Sequence, residues 1–326
     1  MSTIKDVARL ANVSTCTVSR ALSGKGYISE NTKKSVLLAV EELNYQPNSI
    51  ATELKAGVSN AIGLIVPDIT NYYYMELASQ IEKTANEMDL LIYLCNSNYD
   101  RNKEKEFVTE LSNRKIRGII VIPVSNEINH FLELQKKNIP FVFVNRAFSE
   151  SMEFCIVENN YNAAYEIVEY LQSKRRKKIS GIFQCFDNMI YRERYEGMKQ
   201  ALFDHGIYVD DSLIILNAEK ENTSQRIEAL FKKPDWPDAI FTSNDMLAFD
   251  VYQVLYKLDK KIPEDVMVIG FDDTLMAQKV YPPLTSYRMP IDIIAKKSVE
   301  SILQGCLSSR NLPIIGRLIK RRSTGD

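Results

Sequence analysis

The opening segment, TIKDVARLANVSTCTVSRALSG, constrains this chain more than any other, because its apolar spacing is that of two short helices joined by a tight turn. Ile4, Val7, Ala8 and Ala11 recur at helical intervals, Asn12 and Val13 make the turn, and Ser14 stands where a second helix needs an N-cap. In that second helix Val18, Ala21 and Leu22 form the inward stripe, which turns Thr15, Cys16, Ser19 and Arg20 outward. A helix-turn-helix sends such residues to base edges in a major groove, while hydroxyls and backbone N–H groups hold phosphates. The same spacing also suits an ordinary small helical bundle. Ser29 can cap a third helix, with Glu30 in its first turn and Val36, Val40 and Leu43 spaced to close the small core, before Tyr45-Gln46-Pro47 ends it. Residues 48–57, NSIATELKAG, make roughly two helical turns, too few to be stable alone in water, so a partner must order them.

Charge lends this reading modest support. Residues 1–60 carry seven Lys or Arg against five Asp or Glu, in a chain of net charge -1. The basic RLIKRRST near the C-terminus reads as a solvated tail or an edge. At 326 residues, 45% hydrophobic and 25% charged, the chain is ordinary in composition and too long for one typical core. No apolar run reaches membrane-spanning length and no h-region precedes a cleavage site, so a cytoplasmic, nucleoid-associated protein with no membrane contact is expected. Cysteines at 16, 95, 155, 185 and 306 show no metal-ligand spacing and read as reduced thiols. Cys16 faces outward, which permits a redox switch, though a small residue tolerated at a DNA contact is the plainer reading.

From residue 61 short β-rich apolar runs alternate with amphipathic helical stretches. IGLIVPDI, LLIYLC, GIIVIPV and FVFVN are candidate strands, with helices such as ELASQIEKTANEMD, NKEKEFVTELSNRK and INHFLELQKKN between them. The cycle restarts with ISGIFQC, SLIILN, DAIFTSND and VMVIGFDD, separated by helices such as YRERYEGMKQALFDHG and MLAFDVYQVLYKL. Alternation of this kind gives parallel sheets in two similar lobes, with ligands bound beyond the carboxyl ends of the strands in the cleft between them.

The polar residues just after these strands are the cleft candidates. In DITNYYYMEL, Asp68 and Asn71 are loop groups, and Tyr72, Tyr73 and Tyr74 offer flat faces for stacking on a sugar ring or base, although at least one belongs to the core. In YRERYEGMKQAL, Arg194 taken by itself reads as a surface ion pair with Glu193 or Glu196. In SNDMLAF, Asn244 offers both a donor and an acceptor, and Asp245 a helix cap. In VIGFDDT, a carboxylate at Asp272 can accept two hydrogen bonds from vicinal hydroxyls, and Asp273 can cap the next helix; in a bare sequence either is a loop or cap residue.

Three strings, TIKDVARLANVSTCTVSRAL, ISENTKKSV and LNYQPNSIATELKAG, in this order and spacing, closely resemble the headpiece of the lactose-repressor family of bacterial transcription regulators. The likeness extends over essentially the whole chain. It implies an N-terminal all-α helix-turn-helix headpiece (1–46), a hinge helix and linker (47–60) and a two-lobed, periplasmic-binding-protein-like α/β core with parallel sheets (61–326). The first lobe is expected over about 61–158 and 291–320, the second over about 159–290 and 321–326, with crossovers near Val157 to Asn160 and Met289 to Asp292. The resemblance implies DNA contacts from Thr3, Ser14, Thr15, Cys16, Thr17, Ser19, Arg20, Tyr45, Asn48, Ala51, Leu54 and Lys55, with Leu54 as a minor-groove wedge. It makes Asp68, Asn71, Tyr73, Tyr74, Arg194, Asn244 and Asp272 the effector-binding set, Arg194 through the family's R-x-x-G pattern at Arg194 to Gly197. Two departures stand out. Tyr72 follows Asn71 where many members have Pro-Phe-Phe, and NAEK at Asn217 to Lys220 lacks an aromatic that stacks on the effector. Glu219 there favours a hydroxyl-rich or cationic ligand.

An enzyme is not expected. The chain has only His130 and His205, lacks G-x-S-x-G, G-x-x-x-x-G-K-[ST] and H-E-x-x-H, and Gly24-Lys25-Gly26 lacks the third glycine of a dinucleotide loop. No metal or cofactor is called for. A sugar-uptake binding protein would explain two lobes but leaves residues 1–57 without a purpose. The expectation is a ligand-responsive repressor whose partners are operator DNA, a small carbohydrate-like effector and a second copy of itself. No leucine heptad tail follows the core, which favours a homodimer.

Overall fold

A computed structural model of the protein describes residues 2–23, 27–45, 59–146, 148, 155–218, 222–232, 234–305 and 313–326. The chain divides into two compact units, Met1–Ser59 and Asn60–Asp326.

The first unit holds α1 (Ile4–Leu10), α2 (Thr15–Ser23) and α3 (Glu30–Glu42). Each start is locally encoded. Thr3 donates its N–H and hydroxyl to the Asp6 carboxylate at 2.9 and 2.7 Å, which holds that carboxyl below its ordinary range. Ser14 Oγ accepts the Thr17 N–H at 3.1 Å, and Ser29 Oγ accepts the Thr32 N–H at 3.2 Å. The turn between α1 and α2 puts Asn12 in the left-handed region at φ 52°, where asparagine is tolerated. Val7, Ala8, Val18, Ala21, Val36 and Ala39 form the core of this unit, with Val40 and Leu43 packed at its margin. The stripe expected of α3 is therefore completed by Ala39.

The second unit contains two sheets. The first is built from β1 (Ala61–Val66), β2 (Leu91–Asn96), β3 (Gly118–Val121), β4 (Phe141–Val144) and β5 (Cys155–Ile156), in the order β2-β1-β3-β4-β5. All of its pairs are parallel. Between them run α4 (Tyr72–Asn86), α5 (Arg101–Asn113) and α6 (Asn129–Lys136). The second sheet has β6 (Ile179–Ile182), β7 (Ile214–Ile215), β8 (Ala239–Thr242), β9 (Met267–Asp272), β10 (Thr285–Arg288) and β11 (Arg317–Ile319), in the order β11-β10-β9-β8-β6-β7. Apart from the antiparallel β10–β11 pair it is parallel and repeats the winding of the first sheet. Its helices are α7 (Asn160–Ser173), α8 (Met189–Asp204), α9 (Thr223–Leu230) and α10 (Asp245–Lys257); α11 (Ile291–Leu303) packs on α4, β3 and β4 of the first lobe.

Burial on both faces explains the near-continuous apolar strands. Ile62, Leu64 and Val66 join the cluster under α4 and α11, while Ala61 and Ile65 join Val108, Leu111 and Phe131 under α5 and α6. In the second lobe Phe241, Ile269 and Phe271 face the α7–α8 layer with Met198 and Ala201, while Ile240 and Val268 face Ile227, Val251 and Val254.

The chain passes between the lobes near Glu158, Pro290 and Ile314. A parallel bridge joins Glu158 to Ile314, with Asn159 N–H donating to Ile314 O at 3.0 Å. The return therefore falls near Ile314 rather than 320, because Arg317–Ile319 pairs with β10 as an edge of the second sheet. RLI in the basic stretch is thus an edge strand, and the later Ser323 and Thr324 are fully buried.

The R-x-x-G spacing has a packing reason. Gly197 sits on α8 against the first turn of α7, where an added Cβ would lie 2.1 Å from Tyr161 O. That close approach is what lets Asn160 Oδ1 accept from Arg194 Nε at 2.9 Å. Gly197→Ala is expected to destabilise the protein by about 1–3 kcal/mol, since backbone rather than a flexible side chain must move. A urea midpoint within error of the wild-type value would refute the close-approach account.

Candidate functional site

On the first unit, Ser14, Thr15, Cys16, Ser19 and Arg20 are exposed and Thr17 is half-buried. These residues form one outward face on α2. Ser14 and Thr17 hydroxyls meet at 2.9 Å, so both are oriented for the helix start before any partner is met. Thr3 is exposed with its hydroxyl donated to Asp6, and Tyr45 packs half-buried at the edge of the headpiece core. Asn48, Ala51, Leu54 and Lys55 lie outside the described residues.

In the second unit, all seven expected effector residues line two adjoining spaces between the lobes. An outer chamber of about 330 Å³ is lined by Asp68, Asn71 and Asn244, together with Thr70, Tyr99, Gln184, Thr223 and Asp250. An inner space of about 20 Å³, room for a water molecule, touches Asn71, Tyr73, Tyr74, Arg194, Asn244 and Asp272. Tyr99, Asn145, Gln184, Tyr191 and Asp250 are lining residues that sequence reasoning did not single out. Glu219 lies outside the described residues; Asn217 braces the loop after β6 by accepting the Phe186 N–H at 3.0 Å.

Arg194 is the centre of the inner space. It is buried, so the surface pair with Glu193 or Glu196 does not form. Its guanidinium stacks on Phe271 with 3.3 Å to the ring centroid, and donates to Asn160 Oδ1 and the Ser243 carbonyl. Two carboxylates flank it, Glu158 at 3.6 Å and Asp272 at 3.9 Å. Glu158 accepts from the Tyr73 hydroxyl at 2.7 Å through Oε1, while its buried Oε2 has no hydrogen-bond partner among the described residues. Nothing in VENN announces Glu158; it is found only because the crossover carries it beneath Arg194.

Several side chains do something other than what their neighbourhood suggests. Tyr73 is a buried plug whose hydroxyl is bonded to Glu158, and Tyr74 meets its ring edge-on at a 5.7 Å centroid distance, so neither presents an open stacking face. Tyr72 is the exposed member of the three. Asn244, not Asp245, caps α10, accepting the Leu247 N–H at 2.9 Å, while its amide donates to Gln184 Oε1 at 2.6 Å. Asp245 instead turns under the neighbouring loop, accepting from Thr274 N–H and Oγ1 and from Ser286 Oγ at 2.8, 2.9 and 2.6 Å. Asp273 pairs with Arg288 and Arg321 rather than capping a helix.

The backbone at Asp272 is held at φ 105°, a value that a non-glycine residue adopts only under local compulsion, while Asp273 at φ 53° sits in the left-handed well that aspartate tolerates. Asp245 and the Asp273 ion pairs supply that compulsion. Arg146, just after β4, is also buried and donates to Asn126 Oδ1 at 3.2 Å, and its burial lowers its affinity for a proton. It obeys the same strand-end rule as the other candidates.

Residues 3–48 match the model of bacterial regulatory proteins of the lacI family, and residues 59–322 match that of periplasmic binding proteins and the sugar-binding domain of the LacI family. This chain belongs to the LacI family of bacterial regulatory proteins. It is 30% identical to the transcriptional repressor PurR of Vibrio vulnificus, over 93% of this chain and 92% of that one. It is 30% identical to the ribose operon repressor of Halalkalibacterium halodurans, over 99% and 97%. Its fold is shared with a lac repressor dimer solved on operator with an anti-inducer, at a TM-score of 0.85, 23% identity and 99% coverage of both chains. These relatives are transcriptional repressors, not enzymes. Among the described residues no helix is long and apolar enough to cross a membrane, and no cluster of His, Cys, Asp or Glu forms a metal site.

The buried acids give the LacI-family core a characteristic pH response. Burial raises the Glu158 and Asp272 carboxyls above their ordinary range against the pull of Arg194, and lifts Asp245 to about 7. Since these folded values exceed the unfolded ones, the native state binds more protons than the unfolded chain between about pH 4 and 7, and stability falls as pH rises through that window. The urea midpoint is expected to drop between about pH 5 and pH 8, and to drop less in Glu158→Gln. A midpoint that climbs over this range would contradict the assignment.

Proposed function

We propose that this LacI-family protein is a repressor that binds a pseudo-palindromic operator as a homodimer, at the nucleoid, and that a small sugar-like effector in the interlobe cleft controls its DNA affinity. The observation that carries this reading is the convergence of seven residues, from strand ends and from the helices that follow them in both lobes, on one polar cleft organised by Arg194. The ribose operon repressor among its relatives favours a carbohydrate over other small molecules.

The effector acts by linkage. Tyr73 and Asn71 belong to the first lobe, Asp272 and Asn244 to the second, and Glu158 and Asn160 to a crossover, so a ligand bonded across the cleft stabilises one arrangement of the lobes. Effector and operator then change each other's affinity by the same factor. On DNA, Thr15, Cys16, Ser19 and Arg20 face the major groove, and Arg20 is the donor long enough to bond a guanine bidentately. Leu54 enters the minor groove from the hinge and Lys55 meets phosphate, as the family likeness implies.

The second copy docks on β2. This strand is the edge of its sheet, and Leu91, Tyr93 and Leu94 on it are exposed, the two leucines by 63% and 45%. An exposed apolar edge of this kind attracts a partner, and two-fold pairing of identical edges closes the assembly.

Leu91→Glu/Leu94→Glu is expected to sediment as a monomer and to lose operator affinity by roughly 10²-fold or more, because two linked headpieces no longer share one site. A dimeric double variant would remove β2 from the interface. Arg20→Ala is expected to cost about 1–3 kcal/mol of operator binding, confined to one symmetric base position per half-site. Anisotropy titration against single-position operator variants reads the difference; a uniform loss on all sequences would make Arg20 a phosphate contact. Arg194→Ala and Asp272→Ala are expected to abolish the effector's influence on operator binding while the effector-free protein still binds operator.

A further inference from the structure

The outer chamber has a chemical bias that its inner neighbour lacks. Asp250 lies on the α10 face shared by Met246 and Leu247, all three lining the chamber. Its carboxylate is half-buried, burial raises its affinity for a proton, and no hydrogen bond or ion pair reaches it among the described residues. Asp68 lines the same chamber from the first lobe, with one oxygen occupied by the Thr70 N–H and hydroxyl, each at 2.8 Å. Gln184 Oε1 is already filled by the Tyr191 hydroxyl and the Asn244 amide. No Lys or Arg is among the described lining residues, and Arg146 does not line this chamber. Arg194, at the inner end, is faced by two carboxylates and has no positive charge to spare.

A carboxylate pointed at a cavity without a protein donor needs one from the ligand. Hydroxyl or ammonium groups supply it. A phosphate or carboxylate on the ligand would meet two like charges in a partly desolvated space, with no Lys or Arg among the described lining residues to offset them. Size narrows the choice further. A cavity of about 150 Å³ holds benzene, so the chamber's roughly 330 Å³ suits a ring with about twice as many heavy atoms, such as a hexose with its hydroxyls.

We propose that Asp250, opposed by Asp68 across the cleft, selects a hexose-sized effector that is uncharged or carries an ammonium group, and excludes its phosphorylated derivatives. This selection rests on the cleft being the effector site. Asp250 is the specificity-determining residue, and Arg194 serves whichever sugar is admitted.

Isothermal titration of the full-length protein with matched probes tests it: glucose, glucosamine and glucose 6-phosphate, and the corresponding galactose and mannose sets. In at least one set the parent or amino sugar is expected to bind, with the phosphate at least roughly tenfold weaker. Asp250→Asn narrows that gap by roughly tenfold, and Asp250→Lys admits the phosphate. A phosphate that binds wild-type protein more tightly than its parent sugar, or a ranking unaltered by Asp250→Asn, overturns the selection while leaving the cleft as the effector site. Sugar binding undiminished by Arg194→Ala overturns the cleft itself, and with it the selection. Binding by no member of any set overturns the hexose-sized ligand.

Discussion

The buried guanidinium of Arg194 is the interaction on which the rest of the core depends. It lies on the Phe271 ring, bonds the crossover residue Asn160 and the carbonyl at the end of β8, and separates the carboxylates of Glu158 and Asp272. Removing water from three charges is expensive, and the pair energies recover that cost only when each group is also hydrogen-bonded. Here the accounting is incomplete on the acid side, since Glu158 Oε2 has no hydrogen-bond partner among the described residues. The cluster is therefore poor as a device for stability and well suited to receiving donors from a ligand. Its position adds a second consequence. Glu158 and Asn160 belong to a crossover, so whatever bonds Arg194 and Asp272 acts directly on a segment that joins the lobes.

The strained turn at Asp272 and Asp273 shows how that position is held. A parallel strand ends with its side chains alternating between faces, and an aspartate in ordinary extended geometry after Phe271 would not be aimed by the sheet alone. The φ of 105° aims it, and the cost is met from behind. Asp245 accepts three hydrogen bonds that tie Thr274 and Ser286 to the start of α10, and Gly270 leaves room for it, an added Cβ there lying 2.2 Å from Asp245 Oδ1. The second carboxylate of FDDT, paired with Arg288 and Arg321, anchors the turn to β10 and to the residues after β11. Two adjacent aspartates thus have opposite duties, one presented to the cleft and one sequestered.

Much of this was legible in the sequence, and the boundary of legibility has physical causes. Strands β1, β3, β4, β8 and β9 announce themselves as apolar runs because both faces are buried. Strand β10, TSYR, does not, because Thr285 and Ser286 are buried polar residues satisfied by Arg321 and Asp245. Strand β5 has two residues, too few to carry a period. Helix α7 carries its signal in Ala163, Ile167, Val168 and Leu171, buried at helical spacing just after the crossover. In the cleft, the rule that ligand groups follow strands found Asp68, Asn71, Asn244 and Asp272, and the same rule applied to β4 would have found Asn145 and Arg146. Glu158 and Asp250 have no such signal: one comes from a crossover, the other from the first turns of a helix. Cap assignment at Asn244 and Asp245 was ambiguous because either side chain can accept the helix N–H, and only the partners that Asp245 finds at Thr274 and Ser286 decide it.

The geometry also limits what an effector has to accomplish. The two lobes repeat one winding order, so the carboxyl ends of their strands border a common cleft, and the chain passes between them near Glu158, Pro290 and Ile314. Lobe rotation is then confined to these segments, and a separate contact bears on it: Glu76 on α4 accepts the Leu275 N–H at 2.6 Å across the lobes, outside the lining of either chamber. A contact between lobe residues that involves no cleft-lining group contributes to the starting balance between arrangements. A ligand shifts that balance only by its differential affinity for them. Moving it from one side to the other demands several kcal/mol, which a few charge-assisted hydrogen bonds to Asp272, Asp250 and Arg194 can supply, whereas apolar burial in a small polar cleft cannot. The concentration of charge in this cleft, costly in a protein built only to be stable, is therefore what a bistable regulator requires.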